Sequence, residues 1–326
     1  MTNDSEMHRF VELSDAQLRQ LSDAQAVLHN TQAAQQEAQA VRGSMRWRDV
    51  GGRRYLVRVS TTGAERSLGP HSDSTQAMFD AFHARKAAAQ ARLSSMRERL
   101  DEMRQLNRVY KVGRAPAVVV RCLHALERAG MAHQFLVVGT HALYAYETAA
   151  GVRVQSGAMA TQDLDLLFDV TKLRAFTTLL KRSETRSLIA VLQRADKTFK
   201  VRRDKLETAV NDAGFEVDVI RRMQAQGDPH PLRLLDDEND FWAVQADQGG
   251  AMASSPKFAH MVVSPQGEMA TMHTLHPLTF VRLKTELAQR PGRDPLKAPK
   301  DRLQAQTVQA LWDRYLRFLP TMHTEN

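Results

Sequence analysis

The sequence predicts an α+β fold. A small mixed β-sheet forms its core, a helical hairpin with a β-ribbon precedes it, and a helical region follows. Three observations carry this reading. Residues 14–41 and 75–110 repeat apolar side chains at helical spacing. Residues 116–225 interchange short apolar or alternating runs with helical ones. Hydrophobic residues make up 43% and charged residues 25% of the 326, an ordinary globular composition that rules out a wholly disordered chain. At roughly 100–200 residues per domain the length allows about two domains. Shifts in composition mark out 1–110, 111–225 and 226–326.

Taken in order, Ser14 or Asp15 caps the first helix, where Leu18, Leu21 and Leu28 make a thin apolar seam among Gln and Ala. Leu93, Met96, Leu100, Met103 and Leu106 make a similar stripe on the second, so the two helices are expected to pair. Between them, Val50-Gly51-Gly52-Arg53 is a turn joining two alternating runs, Met45–Val50 and Arg54–Ser60, and predicts a β-ribbon within 43–74. Further on come a helix at Ala117–Ala129, a short apolar strand at Gln134–Val138, a Gly139-Thr140 break and a helix at His141–Thr148. A strand at Asp163–Phe168 precedes helices at Lys172–Arg182 and Ser187–Arg194. Strands are expected at Lys197–Arg202, Leu206–Val210 and Phe215–Ile220, with a turn at Asn211–Gly214. Residues 226–256, rich in Pro, Asp, Gln and Gly, read as loops and irregular hairpins. Met261–Val263 and Glu268–Met272 flank the turn Pro265-Gln266-Gly267, and helices at Leu278–Gln289 and Gln304–Phe318 complete the order.

Several classes drop out. The one cysteine, Cys122, excludes a disulfide scaffold and a cysteine-based zinc site, and reads as a buried small hydrophobe. No run of 18 apolar residues exists, and the polar start Met1–Glu6 lacks a signal peptide's apolar segment. A cytoplasmic protein without a membrane partner is the expectation. No nucleotide-binding P-loop, zinc-protease helix or nucleophile elbow is found. His124, His133 and His141 lack metal-ligand spacing and read as structural. The net charge of +8 favours a polyanionic partner. Seven Arg stand against Asp49 and Glu65 between Arg42 and Arg66. Guanidinium groups pair with phosphates and aromatic rings stack on bases, so Arg46, Trp47, Arg53, Arg54 and Arg58 are candidate nucleic-acid contacts. The same pattern also suits a solvated ribbon whose Trp47 and Tyr55 pack on the helices.

The chemistry concentrates in Thr161-Gln162-Asp163-Leu164-Asp165-Leu166-Leu167. Alternate side chains of a strand share a face, so Asp163 and Asp165 point one way and Leu164 and Leu166 into the core. Two carboxylates about 6–7 Å apart along a strand repel unless a cation lies between them, and their hard oxygens suit Mg²⁺ or Mn²⁺. Phe215-Glu216-Val217-Asp218-Val219-Ile220 offers a third carboxylate, Asp218, with Glu216 as the alternative on the same face. Such a triad suits two divalent ions and phosphoryl transfer. Upstream, Val138-Gly139-Thr140-His141 is a strand-to-helix turn where phosphate can approach the backbone.

This ordered set, h-h-G-[small], then D-h-D, then h-D-h (h, hydrophobic), resembles the DNA polymerase β-like nucleotidyltransferase superfamily. Within it the chain looks like a bacterial group of minimal nucleotidyltransferase-like proteins over residues 43–315. The matching stretches are Gly43–Trp47, Arg53–Leu56, Arg66–Pro70, Val138–Glu147 and Thr161–Asp165. Thr140 stands where Gly or Ser is usual and keeps a hydroxyl. The longer interval from Gly139 to Asp163 leaves room for an insertion at Ala149–Ala160. The resemblance implies a nucleotidyltransferase core in which Asp163, Asp165 and Asp218 hold two metal ions and a nucleoside monophosphate passes from an NTP to a macromolecular hydroxyl. It implies that Gly139, Thr140 and Lys284 contact the triphosphate, with Arg290, Lys300 and Asp301 as weaker candidates. RNA, first of all a tRNA end, is the expected acceptor; a protein hydroxyl is the alternative, and a non-enzymatic nucleic-acid- or partner-binding module the competing class. Such proteins often serve as toxins or in defence, so a cognate antitoxin, or a homodimer through the N-terminal helices, is an expected partner.

Overall fold

The computed structural model describes residues 10–154, 156–159, 161–182, 187–234 and 240–319. The start Met1–Glu6, and Gln155 and Ala160 of the expected insertion, lie outside the described residues. The fold is α+β, and the chain divides into two compact units, Arg19–Val109 and the remainder.

The chain opens with β1 (Val11–Glu12) and α1 (Asp15–Ala40), which runs into the smaller unit. There follow β2 (Ser44–Val50), β3 (Arg53–Val59), β4 (Glu65–Pro70) and α2 (Asp73–Val109). Each long helix begins at a reciprocal cap. The Ser14 and Gln17 side chains each accept from the other's backbone N–H, and Ser72 and Thr75 do the same. The helices pair as expected: Gln20 donates to Asn107 at 3.0 Å and Arg92 pairs with Glu37 at 2.6 Å. The ribbon is three-stranded rather than two-stranded, in the order β2-β3-β4, antiparallel throughout. The third strand escapes a sequence reading because it ends in Gly69-Pro70 and crosses a register shift opposite Leu56/Val57.

The larger unit continues with α3 (Ala117–Arg128), β5 (Phe135–Val138), α4 (Ala142–Ala150), β6 (Val152–Arg153), β7 (Asp163–Phe168), α5 (Leu173–Arg182), α6 (Leu188–Leu192), β8 (Lys200–Val201), β9 (Thr208–Val210) and β10 (Glu216–Arg221). After them come β11 (Leu232–Arg233), β12 (Trp242–Gln245), α7 (Gly249–Ser254), β13 (Lys257–Val263), β14 (Met269–Leu275), α8 (Pro277–Gln289) and α9 (Lys297–Arg314). Among the described residues its main sheet has nine strands and is mixed, with parallel and antiparallel pairs. The central order is β11-β12-β10-β7-β5-β14-β13, with β9 on β10 beside β12, and β8 on β9. The region after 225 therefore does not stand apart. Its strand β14 lies parallel to β5, tied by the Thr274 hydroxyl donating to Val137 O at 2.6 Å. Burying Val262, Ala270 and Met272 in the common core drives that union.

Helix α3 turns Val119, Cys122, Leu123 and Leu126 inward. Burial pushes the Cys122 thiol up to about 12, which suits an inert core residue. Helix α4 packs on β13 and β14, and Tyr146 donates to Leu275 O at 2.7 Å. The last helix starts at Lys297, seven residues before the expected Gln304, because Lys297-Ala298-Pro299-Lys300 shows no apolar periodicity; Pro299 is tolerated in a first turn. Among the described residues no helix is long and apolar enough to cross a membrane.

Candidate active site

Strand β7 carries the acidic pair as its period-2 pattern dictates. Leu164 and Leu166 are fully buried, while Asp163 is exposed and Asp165 half-buried on the other face. Strand β10 lies parallel beside it with Asp218 level with Asp165 and Glu216 level with Asp163. Residues paired across adjacent strands point the same way, so all four carboxylates share one face. Their local partners separate Asp218 from Glu216. Arg202 holds Glu216 in an ion pair at 2.7 Å, whereas Asp218 accepts a hydrogen bond from the Thr208 hydroxyl. Thr161 donates to Asp163.

Burial raises the Asp165 carboxyl to about 7, reinforced by the negative charges of Asp163 and Asp218. Asp218 is raised as well, first by burial, with the Thr208 bond opposing the rise. Both carboxyls are thus harder to ionise than free ones, through burial first and the neighbouring acids second. Among the described residues, however, no three Asp, Glu, His or Cys side chains already stand grouped to hold a metal ion.

The turn after β5 closes over this face. Strand β5 is antiparallel to β7, with Val138 opposite Asp165. Gly139 has φ +69°, and a Cβ there would overlap Asp165 Oδ2. Glycine is required twice, for the left-handed backbone and for the close carboxylate. Gly139→Ala is expected to cost about 2–3 kcal/mol and to displace Asp165. Urea unfolding checks the first effect and turnover the second. Thr140 is buried, and its hydroxyl accepts from Gln304 Nε2 at 3.0 Å, which ties the turn to α9. His141 is buried with neither ring nitrogen hydrogen-bonded, and burial lowers it to about 4, so the ring is neutral at pH 7. It rests against Tyr144 and Phe215, in keeping with a structural role.

A pocket of about 390 Å³ opens beside the acidic pair. Gly139, Thr140, Asp163 and Asp165 contribute to its lining, and Lys284, Arg293, Lys297 and Lys300 bring positive charge to it from α8, α9 and the loop between. The buried Asp301 organises two of these cations. It accepts from Lys284 Nζ at 2.7 Å through one oxygen and from Arg293 Nε at 2.8 Å through the other. Leu275, Phe280 and Leu283 form an apolar part of the lining. Acidic oxygens facing a cationic wall suit a ligand of concentrated negative charge.

A family model described as Nucleotidyltransferase matches residues 117–324, well over half of the chain. The chain belongs to this nucleotidyltransferase family. No curated protein and no solved structure matches it.

In this nucleotidyltransferase the match covers the acidic face, the Gly139 turn and the cationic wall, and leaves out the Arg19–Val109 unit. Gly139, Thr140, Asp163, Asp165 and Lys284 line one pocket, and Asp218 adjoins it through the strand register. Lys300 and Asp301 are part of the pocket too, but Arg290 is not among its lining residues and pairs with Asp247 at 2.5 Å. A sequence reading misses Arg293 and Lys297. The basic run from Arg290 to Lys300 is their only signal.

The five ribbon residues belong to the other unit and divide between two sheet faces. Trp47 packs on His71 and Phe79, Arg54 lies over Trp47, and Arg58 lies over Phe82, all on the α2 side. Arg46 shares the opposite face with Arg48 and, through the Val50–Arg53 register, with Arg53.

Proposed function

We propose that the enzyme is a DNA polymerase β-like nucleotidyltransferase that moves a nucleoside monophosphate from an NTP to a macromolecular hydroxyl, with RNA, such as a tRNA end, as the acceptor. The observation that carries this is the level pairing of Asp165 with Asp218, beside a pocket that Asp165 shares with four cations. The acceptor hydroxyl oxygen bonds to the α-phosphorus as the bridge to the β-phosphate breaks; pyrophosphate leaves, and the hydroxyl proton passes to solvent. Lys284, Arg293, Lys297 and Lys300 offset the charge of the β- and γ-phosphates, and the Gly139 turn lets phosphate approach the backbone.

The donor set fits Mg²⁺ or Mn²⁺. It is all carboxylate oxygen, and bound cations would relieve the repulsion that Asp163 and Asp218 add to the effect of burial at Asp165. Asp163, Asp165 and Asp218 would hold two such ions, which supply charge neutralisation at the reacting phosphate.

The test is incubation with α-labelled NTPs and Mg²⁺ or Mn²⁺, with cellular RNA and cellular protein as separate acceptors. Label in RNA, abolished by chelation, is expected. Label confined to protein transfers the reading to protein nucleotidylation, and no label with either metal in either fraction overturns it.

A further inference from the structure

We propose that the outer face of the three-stranded sheet in the Arg19–Val109 unit docks on double-stranded DNA, with Arg46, Arg48 and Arg53 presented to the major groove. This is independent of the chemistry in the other unit, and its failure leaves nucleotidyl transfer standing.

Charge points to a polyanion. The unit has 15 Lys and Arg against nine Asp and Glu, so it carries +6 of the chain's +8. Exposure identifies the face. Arg46 and Arg48 side chains are each 59% exposed, and Arg53 is exposed beside the Gly51-Gly52 turn. Helix α2 meets the other face through Trp47 and Arg58.

Shape selects a duplex over a single strand. Single-stranded nucleic acid is held by exposed aromatic rings on which bases stack, but Trp47 is stacked inside the unit and only the half-buried Tyr55 lies on the outer face. The paired strands β2 and β3, which carry the three arginines, occupy roughly 10 Å at about 4.8 Å each, and the roughly 12 Å major groove of B-form DNA admits such a two-stranded ribbon, whereas the A-form RNA major groove is too narrow for it. Arg46 and Arg48, two positions apart on β2, stand about 6.8 Å apart, which is about two B-form steps of 3.4 Å. Glu65 on β4 is the counter-charge of this face, pairing with Arg46 and with Arg48 at 3.0 Å. It restrains both guanidinium groups while the face is free.

The test is fluorescence anisotropy of the full chain with a labelled 24-base-pair DNA duplex across a salt series. The Arg46→Ala, Arg48→Ala, Arg53→Ala triple variant is expected to bind at least tenfold more weakly, with a salt slope shallower by about 0.9 for each phosphate that is no longer neutralised. Glu65→Gln is expected to bind several-fold more tightly. Circular dichroism guards against misfolding of either variant. A triple variant that folds and binds like the parent overturns the proposal. So does tighter binding of RNA, single-stranded or duplex, at equal salt, which would return this face to acceptor binding.

Discussion

Asp165→Asn is expected to abolish nucleotidyl transfer while making the metal-free protein more stable at neutral pH. The two halves share one cause. Asp165 sits between Asp163 along its own strand and Asp218 on the next, half-buried under the Gly139 turn. Its carboxyl, ordinarily near 3.8, is raised to about 7. For an acid raised on folding, the unfolded chain releases its proton first. Stability is therefore full below about pH 4, falls as pH rises towards 7, and stays lower above that. Asparagine keeps the shape and removes the titration, so urea unfolding at pH 8 without divalent ions should show a gain of roughly 1–3 kcal/mol. The same change removes a carboxylate oxygen from the proposed metal site and should lower turnover by about 10³-fold or more. An inactive variant less stable than the parent at pH 8 would mean that Asp165 is needed by the fold rather than strained by it.

Local periodicity encodes the part of the site that is legible in the sequence. The alternation Asp163-Leu164-Asp165-Leu166 fixes which side chains are buried, whatever the strand's neighbours, and the same holds for Val217-Asp218-Val219. The choice between Asp218 and Glu216 is a different matter. Both lie on the same face, and they differ in that the fold brings Arg202, 14 residues before Glu216, into a pair with Glu216. Ribbon residues show the same limit. Alternation separates Arg46 from Trp47, but which of the two faces is covered depends on where α2 docks, and Phe79 lies 32 positions beyond Trp47. The region after 225 is opaque because β14 completes the sheet beside β5 from more than 130 residues away. No local signal carries such a pairing.

Asp301 is the other position where a single change should act strongly, and on two properties together. Its carboxylate is 3% exposed and holds Lys284 from α8 on one oxygen and Arg293 on the other. A buried carboxylate is tolerable only when paired, and cations aimed into a pocket lose their direction when the pairing group is removed. Hydrophobic side chains of similar volume would close the α8–α9 contact at no desolvation cost, so packing alone does not call for the ionic arrangement. Asp301→Asn should cost about 3 kcal/mol in urea unfolding, at the lower end for breaking a buried pair, because the amide oxygen still accepts one bond. It should raise KM for the NTP about tenfold or more, with a smaller effect on kcat, since charge on the β- and γ-phosphates is engaged in both ground and transition states. Lys284→Gln leaves Asp301 paired with Arg293, so it should lose less stability and share the KM effect. A Lys284→Gln variant with unchanged KM, beside an Asp301→Asn variant that is merely less stable, would make the pair a clamp between helices and would leave the triphosphate to Lys297 and Lys300.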